Sequence, residues 1–153
     1  MKRSIYICRK VLNTDELRAW ARAQGFQTCT PEQEMHVTVA FDHKKHDWRD
    51  LPLDASPTVA VIDPDERAVS LFKNAVVLEI YSQELTTRWA ELHQSALNWK
   101  YPDYRPHVTI TFNAPEGMDV SRIEPFDGVI HLGPEITSEV MWNQRLHMNE
   151  EPL

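Results

Sequence analysis

The 153-residue chain has only two cysteines, four glycines, no long apolar run and no excess of positive charge. Cys8 and Cys29 are too few for a disulfide framework, and neither has zinc-motif spacing, so both are expected as reduced thiols of a cytoplasmic protein. Four glycines and ten prolines exclude a fibrous or disordered class. No apolar run approaches the ~20 residues of a membrane-spanning helix, so no membrane partner is expected. The opening stretch MKRSIYICRKVLNTDEL lacks the apolar region of a signal peptide and reads as a strand followed by a helix. A formal net charge of −7 argues against binding long nucleic acid, which needs a broad basic surface. It leaves room for a small phosphate-containing ligand in a locally polar pocket. Nothing in the sequence speaks to oligomeric state.

What is present is one phrase written twice. EMHVTVAF at 34–41 returns as RPHVTITF at 105–112. Each copy has His-Val-Thr, an aliphatic residue, a small residue and Phe, and each follows a strand and a helix. The first unit has a strand over 2–9. A helix then opens at Asn13, with Glu16 three positions on as in a capping box, and closes at Gly25. The second has a strand over 75–81 and a helix capped by Ser82, with Leu85, Trp89, Leu92 and Ala96 on one stripe. Between the units, 58–62 and 68–72 read as a hairpin, and the polar run after Phe41, including His43 and His46, reads as a solvated loop. Strands are expected at 128–132 and 136–141. The whole of 1–153 reads as one domain built from two duplicated lobes.

Side chains alternate along a strand. His36, Thr38 and Ala40 should therefore share one face and Val37, Val39 and Phe41 the other. In the second copy His107, Thr109 and Thr111 should oppose Val108, Ile110 and Phe112. With the apolar faces on the helices, His and Thr of both copies would look into a shared groove. Two imidazoles suit phosphodiester cleavage at ribose, because a group titrating near ~6.5 can be neutral in one ring and protonated in the other. The neutral ring accepts the proton of the attacking oxygen and the charged ring protonates the leaving oxygen. The pattern leaves open which ring does which. Threonine hydroxyls two positions on can donate to the non-bridging phosphate oxygens. No cofactor is called for, and no cluster of acidic metal ligands stands out.

The paired His-x-Thr motifs resemble the two-histidine (2H) phosphoesterase superfamily over nearly the whole chain. IYICRKVLNTDELRAWARAQGF, NWKYPDYRPHVTITF and LGPEI look most like the phage anti-CBASS nucleases. The resemblance implies an α+β, two-lobed duplicated fold, with antiparallel β-sheets forming a central groove and helices packed outside. It implies metal-independent hydrolysis of 3′–5′ bonds in cyclic di- and trinucleotides such as 3′,3′-cGAMP, in the cytoplasm of a phage-infected bacterium. His36 and His107 would be the acid–base pair, Thr38 and Thr109 the phosphate ligands, and Tyr6, Glu135 and Trp142 the contacts to bases. The motif pair alone is equally compatible with a 2′,3′-cyclic phosphodiesterase or RNA-end processing enzyme. A non-catalytic sponge for a signal nucleotide is the remaining alternative.

Overall fold

The computed structural model describes residues 1–53, 57–95, 97–99, 101, 103–140 and 150–153. Among these described residues, nine strands and two helices run in the order β1 (Lys2–Val11), α1 (Thr14–Ala23), β2 (Thr28–Cys29), β3 (His36–Asp47), β4 (Val59–Val61), β5 (Ala68–Phe72), β6 (Ala75–Glu79), α2 (Gln83–Gln94), β7 (His107–Thr111), β8 (Ile130–Ser138) and β9 (Glu151–Pro152). Seven of the strands form one antiparallel sheet in the order β4-β8-β1-β3-β7-β6-β5, and β2 pairs with β9. The expected α+β, sheet-dominated architecture is therefore found, with the sheets of the two lobes joined edge to edge through β3 and β7.

That join is narrow. β3 and β7 pair at Val37 and Val108, both fully buried. Beyond the join, other groups take over the freed carbonyls, as buried backbone requires. Tyr104 Oη donates to Thr38 O at 2.8 Å and Thr30 N to Ile110 O at 2.8 Å. One face of the sheet carries the core, including Ile5, Ile7, Val37, Val39, Val108, Ile110, Ile130 and Leu132, together with Leu17 of α1 and Leu85 and Leu92 of α2.

The helices differ from expectation in their ends and their partners. Asn13 does not cap α1 with its side chain. It instead accepts from His131 N and donates to Val129 O, tying the helix start to the start of β8. Gly25 closes α1 as expected. Its φ of +100° accompanies the bonds Phe26 N to Ala21 O and Gly25 N to Arg22 O, the paired bonds of a Schellman end. Ser82 caps α2 by accepting from Leu85 N. Ala96, expected on the α2 stripe, lies outside the described residues. α2 does not stay with its own unit: it lies against β3, and Arg88 reaches Glu135 of β8.

The polar run after Phe41 is strand and not loop. β3 continues to Asp47, pairing Asp42 with Ile5 and His46 with Arg3. Backbone pairing with β1 outweighs the polar composition. Asp42, almost fully buried, organises this segment by accepting from Lys44 N, His46 Nε2 and Asn98 N. The last of these bonds ties down the loop that carries Trp99.

Candidate active site

Strict alternation fails in both motifs, at the same place and for the same reason. In β1–β3 the register runs Cys8 opposite Thr38 and then Ile7 opposite Ala40, leaving Val39 as an extra residue. In β6–β7 it runs Val77 opposite Thr109 and then Val76 opposite Thr111, leaving Ile110 extra. Each is a β-bulge, and a bulge reverses the facing of everything after it. The expected facing is thus corrected after the threonine. Ala40 and Thr111 turn inward and are buried, while Phe41 and Phe112 turn outward to the histidine face. Phe41 meets Tyr6, His43, Trp99 and Tyr101 at centroid distances of 6.3, 5.5, 5.1 and 6.2 Å. Phe112 lines a recess of about 400 Å³ with His107, Thr109, Val77, Phe72 and the β5–β6 tip.

The histidines themselves are placed by the Val37–Val108 pair. Carrying that antiparallel register one residue each way sets His36 opposite Thr109 and Thr38 opposite His107. All four side chains then stand on the face away from the core, with the two histidines on a diagonal. Diagonal cross-strand neighbours lie ~7–8 Å apart at the backbone, a spacing across which two imidazoles can address one phosphorus from opposite sides. The rings are near enough that a charge on His36 depresses the pKa of His107.

Each ring is oriented in the same way. His36 Nδ1 lies 2.7 Å from Glu34 O, and His107 Nδ1 lies 2.9 Å from Arg105 O. A carbonyl can only accept, so each Nδ1 carries hydrogen and each Nε2 is the bare nitrogen of the neutral ring. Burial, the largest cause in both cases, lowers both histidine pKa values below the ordinary 6.5.

Tyr6 is brought into this constellation, but as a hydroxyl partner of the first motif. Its Oη lies 2.9 Å from His36 Nε2 and 2.6 Å from Thr38 Oγ1, and burial pushes its pKa up to about 12. Because His36 Nε2 is bare, Tyr6 donates to it, and the single phenolic hydrogen is then spent, so Thr38 donates to Tyr6. The second motif has no counterpart among the described residues. Among the described residues, neither His107 Nε2 nor Thr109 Oγ1 has a protein hydrogen-bond partner. His107 instead packs edge-on against Phe72 at 4.8 Å.

Glu135 is not brought to the histidines. It pairs across the sheet with Arg9, which is itself in register with Val37, so it stands on the core face. There its carboxylate takes Arg88 Nε at 2.7 Å and Nη2 at 3.0 Å, with Arg9 Nη2 at 3.7 Å. This carboxylate, expected to contact a base, is occupied here by two guanidinium groups. Trp142 lies outside the described residues. The cationic groups near the motifs, which sequence reading passed over, are Lys10 beside His36, and Arg105 and Lys73 beside His107. Lys73 sits at the tip of the β5–β6 hairpin with a left-handed φ of 59°, unusual for a residue with a side chain.

Solved structures share this fold. E. coli LigT complexed with NADP+ superposes with a TM-score of 0.65 at 13% identity, covering 100% of this chain and 96% of that one. The LigT complex with ATP gives 0.63 at 13% identity over the same shares, and a further phosphoesterase 0.65 at 11%. At these identities the likeness is one of fold. The chain belongs to the family of the anti-CBASS protein Acb1, whose family model matches residues 3–146. It is 35% identical over 146 residues to the Acb1 protein of Sphingomonas paeninsulae and 31% over 159 residues to that of Caulobacter sp. (strain RHG1), covering 91% and 95% of this chain. It spans about a quarter of the length of these two relatives, 23% and 24%. The Acb1 protein of Escherichia phage RB16 is 24% identical over 131 residues, 84% of this chain and 70% of that protein.

Proposed function

We propose that this chain is a phosphodiesterase that opens the 3′–5′ bonds of cyclic di- and trinucleotide defence signals such as 3′,3′-cGAMP, acting in the host cytoplasm against CBASS immunity. The supporting observation is the Val37–Val108 register, which sets two His-Thr pairs face to face on one side of the sheet. The ribose 2′-hydroxyl attacks phosphorus, one Nε2 takes its proton, and the other ring protonates the departing 5′-oxygen. Thr38 and Thr109 donate to the non-bridging oxygens as charge builds on them. The aromatic-walled recess beside His107 offers one nucleoside a face to stack on, and Phe41 with its neighbours offers another, each stack being worth about 1–3 kcal/mol. Lys10, Lys73 and Arg105 give a dianionic ligand local positive charge within a protein of net charge −7.

The test is incubation of the protein with 3′,3′-cGAMP in excess EDTA, products being identified by mass. Linear product is expected, with turnover lost in His36→Ala and in His107→Ala by a factor on the order of 10²–10⁴. Intact substrate after prolonged incubation rejects the proposal. Tight binding with the ligand recovered unchanged would make the protein a sponge. Far faster opening of a 2′,3′-cyclic mononucleotide would make RNA-end processing the better reading.

A further inference from the structure

The two phenylalanines that the bulges turn onto the histidine face are held by different means. Phe41 lies within a ladder, paired with Tyr6 of β1 and followed by the Asp42–Ile5 pair. Phe112 is one residue past β7, and the last pair of its ladder is Thr111 with Val76. On its other side β7 pairs with β3 at Val37–Val108, and past that point the two strands part. A backbone amide leaving a ladder needs an acceptor from elsewhere wherever water is kept out.

That acceptor is Glu150. Its Oε1 accepts from Phe112 N, and its Oε2 from Thr28 Oγ1 at 2.7 Å and Thr111 Oγ1 at 2.9 Å. Asn113 Nδ2 stands 3.4 Å from the same oxygen, and Asn113 N turns back to Thr111 Oγ1 at 3.1 Å. The carboxylate is delivered by β9, which pairs Glu151 with Cys29 and Pro152 with Thr28. Leu153 N continues this pairing on Gln27 O at 2.9 Å, and the Leu153 side chain packs on the core.

We infer that Glu150 is a positioning residue for ligand binding: it fixes the Phe112 backbone so that the ring stands on the histidine face before a nucleoside arrives. This rests on the phosphodiesterase reading above, in which that ring offers a stacking surface, and adds to it a segment that neither motif contains. The physical reason is preorganisation. A ring hanging from a backbone outside any ladder samples many orientations, and a ligand stacking on it loses affinity by restricting them. With Phe112 N bound to Glu150, the restriction is already in place in the free protein. The threonine hydroxyls hold the carboxylate still, so it acts as an anchor and not as a surface charge. His107 and Thr109 stand ahead of the bulge, where Glu79 and Val77 hold them in the β6 ladder. Glu150 therefore bears on the ring that receives a base, and not on the groups that face phosphorus.

The experiment measures kcat and KM for 3′,3′-cGAMP in wild type, Glu150→Ala, Glu150→Gln, Phe112→Ala and the double variant Glu150→Ala/Phe112→Ala. Glu150→Ala should raise KM roughly tenfold and leave kcat within about twofold. Glu150→Gln should keep KM within about twofold of wild type, because its carbonyl still accepts from Phe112 N and its amide can donate to the two threonine hydroxyls. The double variant should have the KM of Phe112→Ala, since the anchor has no ring left to hold. A merely structural role would lower Tm without this pattern of rescue and coupling. An unchanged KM in Glu150→Ala, multiplying effects in the double variant, or a Gln variant as impaired as Ala overturns the assignment. Glu151→Ala breaks the neighbouring pair with Arg18 and should match wild type. A KM raised equally there would trace the effect to β9 as a whole and overturn the role of Glu150.

One readout needs no ligand. Amide exchange in the free wild-type protein should show the Phe112 N–H protected, and in Glu150→Ala exchanging about tenfold faster or more, while the Leu78 and Val108 amides stay as they were. Free exchange at Phe112 in wild type overturns the assignment whether or not any variant folds. A wild type that neither binds nor opens 3′,3′-cGAMP overturns the phosphodiesterase reading, and the role in ligand binding with it. Active enzyme with Phe112 exchange unaltered in Glu150→Ala overturns the anchor alone.

Discussion

Glu135→Gln decides between the two roles open to that carboxylate, contact with a base or ion pairing within the fold. The side chain is 2% exposed and that of its cross-strand partner Arg9 5%. Arg9 already leaves its buried Nε without a partner, its Nη1 being spent on Pro57 O and Gly133 O. The substitution preserves shape, but it removes the anion and replaces one acceptor by an amide donor facing the Arg88 fork. Two guanidinium groups then confront each other without the carboxylate that stood between them. Removing one partner of a buried ion pair costs about 3–5 kcal/mol. Arg88 is 14% exposed and keeps Pro52 O and Glu91, so the lower end, about 3 kcal/mol, is expected. For a chain of this size that corresponds to a Tm lowered by roughly 6–12 °C. Thermal unfolding of the variant beside wild type measures it. Arg122→Ala, which breaks an exposed pair with Asp119, is the control and should leave Tm unmoved. Assayed well below its Tm, Glu135→Gln should keep wild-type KM. An unchanged Tm together with a KM raised tenfold would refute the reasoning and return Glu135 to the ligand.

Two further outcomes follow from the same geometry. Phe112→Ala should cost little stability, because the ring stands on the histidine face, whereas Ile110→Ala, at the fully buried bulge residue itself, should cost about 2–5 kcal/mol. Phe112→Ala should instead weaken cyclic-dinucleotide affinity by tenfold or more, read by calorimetry, as loss of one base stack implies; a large fall in Tm with unchanged affinity would place the ring in the core after all. For pH, both histidines have folded pKa values below their ordinary 6.5, so the unfolded chain binds more protons in that window. Stability should therefore be full above about 6.5 and fall as the pH drops through the folded values, whereas the lowered carboxylates of Asp42 and Glu79 lose their contribution only at more acid pH. Unfolding in denaturant from pH 7.5 to 5 checks this, and a His36→Asn/His107→Asn variant should show a flatter profile.

The features legible in the sequence were those that local chemistry repeats. The doubled His-Val-Thr phrase, Ser82 as a cap and Gly25 as a helix end each rest on neighbours within a few residues, and each is found in the fold. What a single chain could not disclose were consequences of pairing. The polar residues 42–47 form strand because β1 is long enough to hold them. Asn13 serves β8 and not α1, its amide bonding the backbone of Val129 and His131. Glu135 looked available after Gly-Pro, but the β1–β8 register turns it toward Arg9. The bulges at Val39 and Ile110 also depend on register, although one signal was present: both copies place a small residue and then Phe after the aliphatic position, a pattern that puts a large ring where simple alternation would bury it.

That the bulge is duplicated along with the histidines bears on how such a site can arise. A bare His-x-Thr strand presents an acid–base group and a phosphate ligand, but nothing to hold a base. One extra residue after the threonine rotates the following Phe onto the same face, so each copy presents a histidine, a threonine and an aromatic ring together within six residues. Joining two copies through a buried valine pair then sets two matching half-sites beside one another on one face of the sheet. The differences lie outside the repeat, on the strands that flank it: Lys10 and Tyr6 beside one copy, Glu79 beside the other. Duplication supplies the matched geometry, and the neighbouring strands make the two copies chemically unlike.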